Sequence, residues 1–243
     1  MSEGIWLFDP DDPNPQGLSG YFWYNEHHLS LRKRYLLLAA IGRRAAPLML
    51  EPSCIALAAA CEEYADGIIS PDQFFELCDQ ADRASGDSQA VVSAVQSFAK
   101  WLSDEGKLNE SVEAVECAFG YAAATAAGEL PSVTEVGCGE ALQRYESFRS
   151  GVASADREFA GYCRDVFGPN PFALPALADV WRTGDVTALA RGIYTERAFD
   201  RLPILADALQ DAGCDYADIL DHCRGTGPHV RGCWVVDLVL GKE

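Results

Sequence analysis

Between Ser88 and Leu102, the apolar residues Val91, Val92, Val95, Phe98, Ala99 and Leu102 recur at intervals of three and four. That spacing returns side chains to one side of an α-helix, whereas a strand would scatter them over both faces. Alanine is abundant and Val, Ile and Thr are thin over the first 150 residues. This favours helix, because β-branched side chains lose rotamer freedom there and alanine loses none. The expected fold class is all-α, an irregular multi-helix bundle with a smaller C-terminal helical subdomain.

The periodicity and its punctuation predict helices over Glu26 to Arg44, Ser53 to Asp66, Pro71 to Arg83, Asp87 to Ser103, Asn109 to Ala127 and Val136 to Arg149. Ser70-Pro71-Asp72-Gln73 reads as a start, with Ser at the N-cap, Pro at the first helical position and Gln73 able to complete a capping box. Gly67, Gly106 and Gly128 read as stops, because glycine accepts the left-handed conformation just past a helix end. Residues 1–20 are rich in Pro, Gly and Asp and read as an extended N-terminal arm; 21–153 form the N-terminal helical bundle, and 154–243 the C-terminal subdomain. The arm's acids fail as a calcium loop. Starting at Asp12 puts Gly17 correctly at the sixth position but Trp23 where the bidentate Glu belongs.

Pro169, Pro171 and Pro175 interrupt a helix that ends near Phe167 and mark a junction. Beyond them, Asp185 to Arg197, Asp200 to Ala212, Asp215 to Cys223 and Pro228 to Leu240 read as short helices, the first three opened by an Asp at the N-cap. The last is apolar on every side and also fits a buried strand; Gly227-Pro228 favours helix.

Charge narrows the partners. With 37 acidic against 19 basic residues the net charge is −18, which opposes approach to phosphate backbones or an anionic membrane. Neither nucleic acid nor membrane is expected; the expected partner is another protein. Arg32, Lys33, Arg34, Arg43 and Arg44 cluster, but on a helix Arg32 to Arg34 fan over different faces, and the group reads as a solvated surface near a hydrophobic stripe. The nine cysteines contain no C-x-x-C and sit mostly in apolar surroundings, which suits a reducing compartment. No basic-then-apolar leader opens the sequence and no uncharged apolar run is long enough for a membrane helix, so a cytoplasmic location is expected.

Three stretches carry a resemblance: Arg164-Asp165-Val166-Phe167-Gly168; Ala198-Phe199-Asp200-Arg201-Leu202-Pro203-Ile204-Leu205-Ala206-Asp207-Ala208-Leu209; and His222-Cys223-Arg224-Gly225-Thr226-Gly227-Pro228-His229-Val230-Arg231-Gly232-Cys233-Trp234-Val235-Val236-Asp237. In this order they resemble the C-terminal signature of a family of uncharacterised, alanine-rich helical bacterial proteins, mostly planctomycete. Tyr64-Ala65-Asp66-Gly67 and a basic segment before an alanine-rich helix extend the likeness more loosely. The resemblance implies a helical, cytoplasmic protein and no particular mechanism.

Chemistry concentrates in residues 221–237, which hold two of the four histidines beside cysteines, arginines and aspartates around a Gly-rich turn. In one reading they are structural: Asp221 and Asp237 pair with Arg224 and Arg231, while Cys233 and Trp234 pack in the core. In a second, Cys223, His229 and Cys233 bind zinc, with His222 the alternative to its neighbour. Thiolate and imidazole suit that ion, and His229 and Cys233 at i, i+4 share a helix face. In a third, Gly227 at a helix N-terminus together with Arg224, His229 and Arg231 holds a phosphate or other small anion. His27 and His28 follow the aromatic run Tyr21-Phe22-Trp23-Tyr24, which reads as packing. No Gly-x-Ser-x-Gly, His-Glu-x-x-His or Gly-x-Gly-x-x-Gly occurs. The favoured reading is therefore a non-enzymatic interaction or regulatory module without a cofactor, with the ligand turn and the zinc site as alternatives.

Overall fold

The computed structural model describes residues 30–45, 52–84, 161–169 and 176–242. The expected arm 1–20, the aromatic run with His27 and His28, and the helices expected over Asp87 to Ser103, Asn109 to Ala127 and Val136 to Arg149 lie outside these residues. Among the described residues the fold is all-α, with no strand. The chain divides into two compact units, residues 1–160 and 161–243.

The first unit contributes helices α1 (Leu31–Ala45), α2 (Pro52–Ala65) and α3 (Pro71–Ala84). α1 starts where Ser30 Oγ accepts the Lys33 amide, an N-cap that sets the boundary five residues after the expected Glu26. Tyr35, Leu36, Leu37, Leu38, Ala39 and Ala40 are all buried. α1 and α2 approach closely at Gly42, where an added Cβ would come within 2.8 Å of Ala58 Cβ. The clustered arginines are not simply solvated: Arg32 pairs with Asp66 at 3.3 Å, and Arg43 grips the buried Glu62 with two bonds of 2.8 and 3.1 Å. Both acids belong to α2 or its end, so these cations fasten the helix pair.

The turn into α3 follows its local sequence. Gly67 takes a positive φ of 68°, and its amide and that of Ile68 bond back to Tyr64 and Glu63, completing a Schellman motif. Ser70 and Gln73 then exchange the two bonds of a capping box, 2.9 and 3.3 Å. Tyr35, Tyr64 and Phe74 pack with ring centroids 4.7–5.3 Å apart. Beside them lies an open groove of about 630 Å³ lined by Leu31, Arg32, Tyr35, Tyr64, Ile68 and Pro71 among others.

The second unit begins with a helical segment over 161–167, here α4, which ends at Phe167 as Gly168 turns to φ 83°. After a 3₁₀ turn (Asp179–Trp181) come α5 (Gly184–Glu196), a 3₁₀ turn (Phe199–Arg201), α6 (Leu202–Asp211), α7 (Ala217–Arg224) and α8 (Trp234–Leu240). Their inward faces make one core that includes Val186, Ile193, Leu205, Leu209, Ile219, Cys223, Trp234 and Val236. Apart from Asp237, α8 is apolar on every side because it is buried nearly all round, and Gly241 ends it at φ 65° with the Lys242 amide bonded to Asp237 O.

Two expectations about boundaries are corrected. The Asp residues do not cap: Thr183 accepts the Val186 amide and opens α5, leaving Asp185 in the first turn, and neither α6 nor α7 has a side-chain cap. Asp185 instead sets its charge beside the positive end of the helix dipole. More consequential, the last helix starts at Trp234 and not at Pro228. Gly232 sits at φ 99°, a conformation no helix continues through, so residues 225–233 form a folded connection.

Candidate metal centre

That connection, the end of α7 and the middle of α4 bring four chemically distinct side chains together. Asp165 lies on α4, His222 in the last turn of α7, His229 in the connection, and Cys233 at the N-cap of α8. One donor atom from each lies within 4.8 Å of the other three. His229 Nδ1 is 2.8 Å and His222 Nε2 is 3.1 Å from the same oxygen, Asp165 Oδ1. His222 Nε2 also sits 3.3 Å from Cys233 Sγ. Ligands at the usual zinc distances of about 2.0–2.3 Å are separated by about 3.3–3.6 Å along the edges of a tetrahedron. Three of the separations, 2.8, 3.1 and 3.3 Å, lie at or just under that edge, and all four donors fall within 4.8 Å.

The surroundings aim these donors. Val230 N–H donates to the other Asp165 oxygen at 2.8 Å, leaving Oδ1 to face the histidines. His229 Nε2 is 3.3 Å from the Gly225 carbonyl. A proton on Nε2 donating there places the lone pair of Nδ1 against Asp165 Oδ1. In that tautomer a second ring proton or a metal ion must bridge Nδ1 and Oδ1; in the other, Nδ1–H itself donates to Asp165 Oδ1. Donation of the remote ring N–H to a carbonyl is also how ligating histidines are held in orientation. The rings of His222 and His229 meet edge to face at 5.0 Å, and Trp234 lies 5.3 Å from His222.

Electrostatics within the protein alone follow from burial and pairing. Asp165 is 1% exposed. Burial acts to raise its pKa, but the hydrogen bonds and positive charge of His222 and His229 outweigh it and hold the carboxyl below its usual range. His229 is the mirror case: burial lowers it, and the bond to Asp165, its charge and the Gly225 carbonyl raise it more. Burial and then the Asp165 charge push the Cys233 thiol well above its ordinary value, and the same causes take Cys223 to about 12. Without an ion both thiols stay protonated. A bound metal reverses that logic for a ligating thiol, since it replaces the proton.

The residues singled out from sequence fall into three groups. His229 and Cys233 are brought together, joined by His222 in place of its neighbour. Cys223 packs in the core and is not among the clustered donors. The i, i+4 helical pairing of His229 with Cys233 is not how they meet, because residues 229–233 are not helical. Arg224 turns away to Asp207 and Gln210 at 2.7 and 2.8 Å, not to Asp221. Arg231 lies over the Tyr194 ring, 4.5 Å from its centroid. Gly227 is exposed, and the helix N-terminus expected to follow it starts at Trp234 instead. Asp237 is buried within α8. Asp165 was missed, although an acid among the apolar Tyr162, Cys163, Val166 and Phe167 is a signal that a charge there must find a partner.

The chain matches no known protein family, no curated protein and no solved structure. No described helix is long and apolar enough to cross a membrane.

Proposed function

We propose that the C-terminal unit binds one divalent transition-metal ion, zinc by the chemistry of its donors, through Asp165 Oδ1, His222 Nε2, His229 Nδ1 and Cys233 Sγ. The observation that carries this is the convergence of these four donor atoms within 4.8 Å. One thiolate, two imidazoles and one carboxylate form a borderline-soft set that suits zinc and disfavours magnesium or calcium, which need oxygen shells. Four protein donors fill a tetrahedron. That leaves no position at the ion for a substrate or an activated water, so the ion supports structure. Such a unit is a rigid element for contact with another protein. Cys233 ligates only as a reduced thiol, which fits a reducing, cytoplasmic setting.

Purification without chelator followed by elemental analysis tests the reading. About one zinc per chain is expected, and cobalt substitution should give tetrahedral ligand-field bands with a thiolate-to-metal transition that Cys233→Ala removes. Less than about a tenth of an equivalent, with no cobalt spectrum on reconstitution, overturns it.

A further inference from the structure

We infer that the ion acts as a clasp: through Asp165 it fastens α4 to the rest of the C-terminal unit, and its removal makes α4 open more often while the core stays folded. The inference rests on the metal-binding reading above. It comes from where the ligands lie. His222, His229 and Cys233 belong to a stretch of twelve residues, whereas Asp165 comes from α4, 57 positions before the first of them by subtraction of the residue numbers. Among the described residues, the hydrophobic core that runs from Leu177 to Val239 includes no side chain from α4. Tyr162, Cys163, Val166 and Phe167 are buried, yet none of them belongs to that core. α4 reaches residues 225–233 through the Asp165 carboxylate, which accepts from Val230, and through the backbone of Gly161. A Cβ at Gly161 would lie 2.8 Å from Pro228 Cγ, so the helix sits directly against the connection.

A zinc finger without metal has little core and unfolds. Here α5 to α8 share a continuous apolar core of their own. The ion's free energy is therefore available to hold the docked helix against the undocked one. An ion that binds only the docked arrangement suppresses opening by one plus the ratio of free ion to Kd, about 100-fold when zinc is about 100 times its Kd.

Hydrogen exchange of the full chain, with and without zinc, reads this directly, and native mass spectrometry of the same samples counts bound ions. The Val230 amide, bonded to Asp165, and the Gly168 amide, bonded to Arg164 O, report on α4 and its contact. The expected result is about 100-fold faster exchange at these amides after chelation under those conditions, with amides in α5 and α6 unchanged. Zinc bound but no change at α4, or an equal loss of protection through α5 and α6, overturns the clasp and leaves the metal site standing. No zinc bound overturns both. Asp165→Asn supplies a second arm: it keeps the shape and an acceptor for Val230 but removes the anionic ligand. Zinc held by the remaining three donors should then fail to slow exchange at Gly168; slowing as large as in the wild type contradicts the proposal.

Discussion

Asp165 Oδ1 and His229 Nδ1 lie 2.8 Å apart although 64 positions separate them in the chain. The contact takes a buried carboxylate to an imidazole whose other nitrogen faces a carbonyl, and it shares its oxygen with a second imidazole. A carboxylate so placed is held by cations. In the metal-free protein a proton on His229 serves; the proposed metal ion would take its place.

Removing the carboxylate should therefore weaken both states. Asp165→Ala takes one partner from a buried pair, and we expect it to destabilise the metal-free protein by about 3 kcal/mol, the low end for such losses because His229 can shed its proton. Zinc affinity should fall by at least about 100-fold, since loss of a group that merely orients a ligand already costs about 10–100-fold. Urea unfolding and competition against a zinc indicator measure the two effects.

Cys233 and Cys223 should separate cleanly. Cys233→Ser should abolish the sulfur-to-cobalt transition. Cys223→Ala should leave that spectrum intact and cost about 1 kcal/mol of stability, because Cys223 fills the core and is not a clustered donor. Loss of the cobalt transition in the Cys223 variant would move the site to a different thiol.

The pH dependence should change form with loading. Asp165 has a lowered pKa, so its contribution is present above the unfolded value and lost as pH falls through the folded one. His229 has a raised pKa, so its contribution is full below the unfolded value and lost as pH rises through the folded one. In the metal-free protein their joint contribution should be largest between about pH 4 and 6.5, the unfolded values of the two groups. Zinc competes with those protons, so the rise in Tm on adding zinc should grow from about pH 6 to 8. A zinc-induced shift that shrinks over that range contradicts the ligand set.

Several parts of this architecture could be read in the chain before any coordinates, and the reasons are local. The Ser70–Gln73 capping box and the Gly67 stop depend on residues within one turn of each other, so the sequence suffices. The end of α4 at Phe167 was legible for the same reason. The Asp N-caps were not, because Thr183 lies two residues from Asp185 and only geometry selects which oxygen reaches an amide. The start of α8 was hidden by Gly232, whose left-handed turn looks like any other glycine in a string of letters. Asp165 was hidden by distance: nothing near it in sequence indicates that its partners lie on α7 and the connection before α8.

In the first unit, the close approach at Gly42 makes a prediction that opposes helix propensity. Gly42→Ala gains about 1 kcal/mol of propensity, but the new methyl meets Ala58 Cβ at 2.8 Å. Overpacking costs about 1–3 kcal/mol and should win, giving a net loss. Adding Ala58→Gly should relieve the clash and recover stability in a double-mutant cycle; no recovery would mean the two helices do not meet there.

X-ray absorption at the zinc edge of the zinc-loaded chain tests the proposed metal centre most directly. Four ligands are expected, with one sulfur at about 2.3 Å and three nitrogen or oxygen neighbours at about 2.0–2.1 Å. A shell of oxygens without sulfur, or one with two or more sulfurs, would contradict the assignment of Asp165, His222, His229 and Cys233.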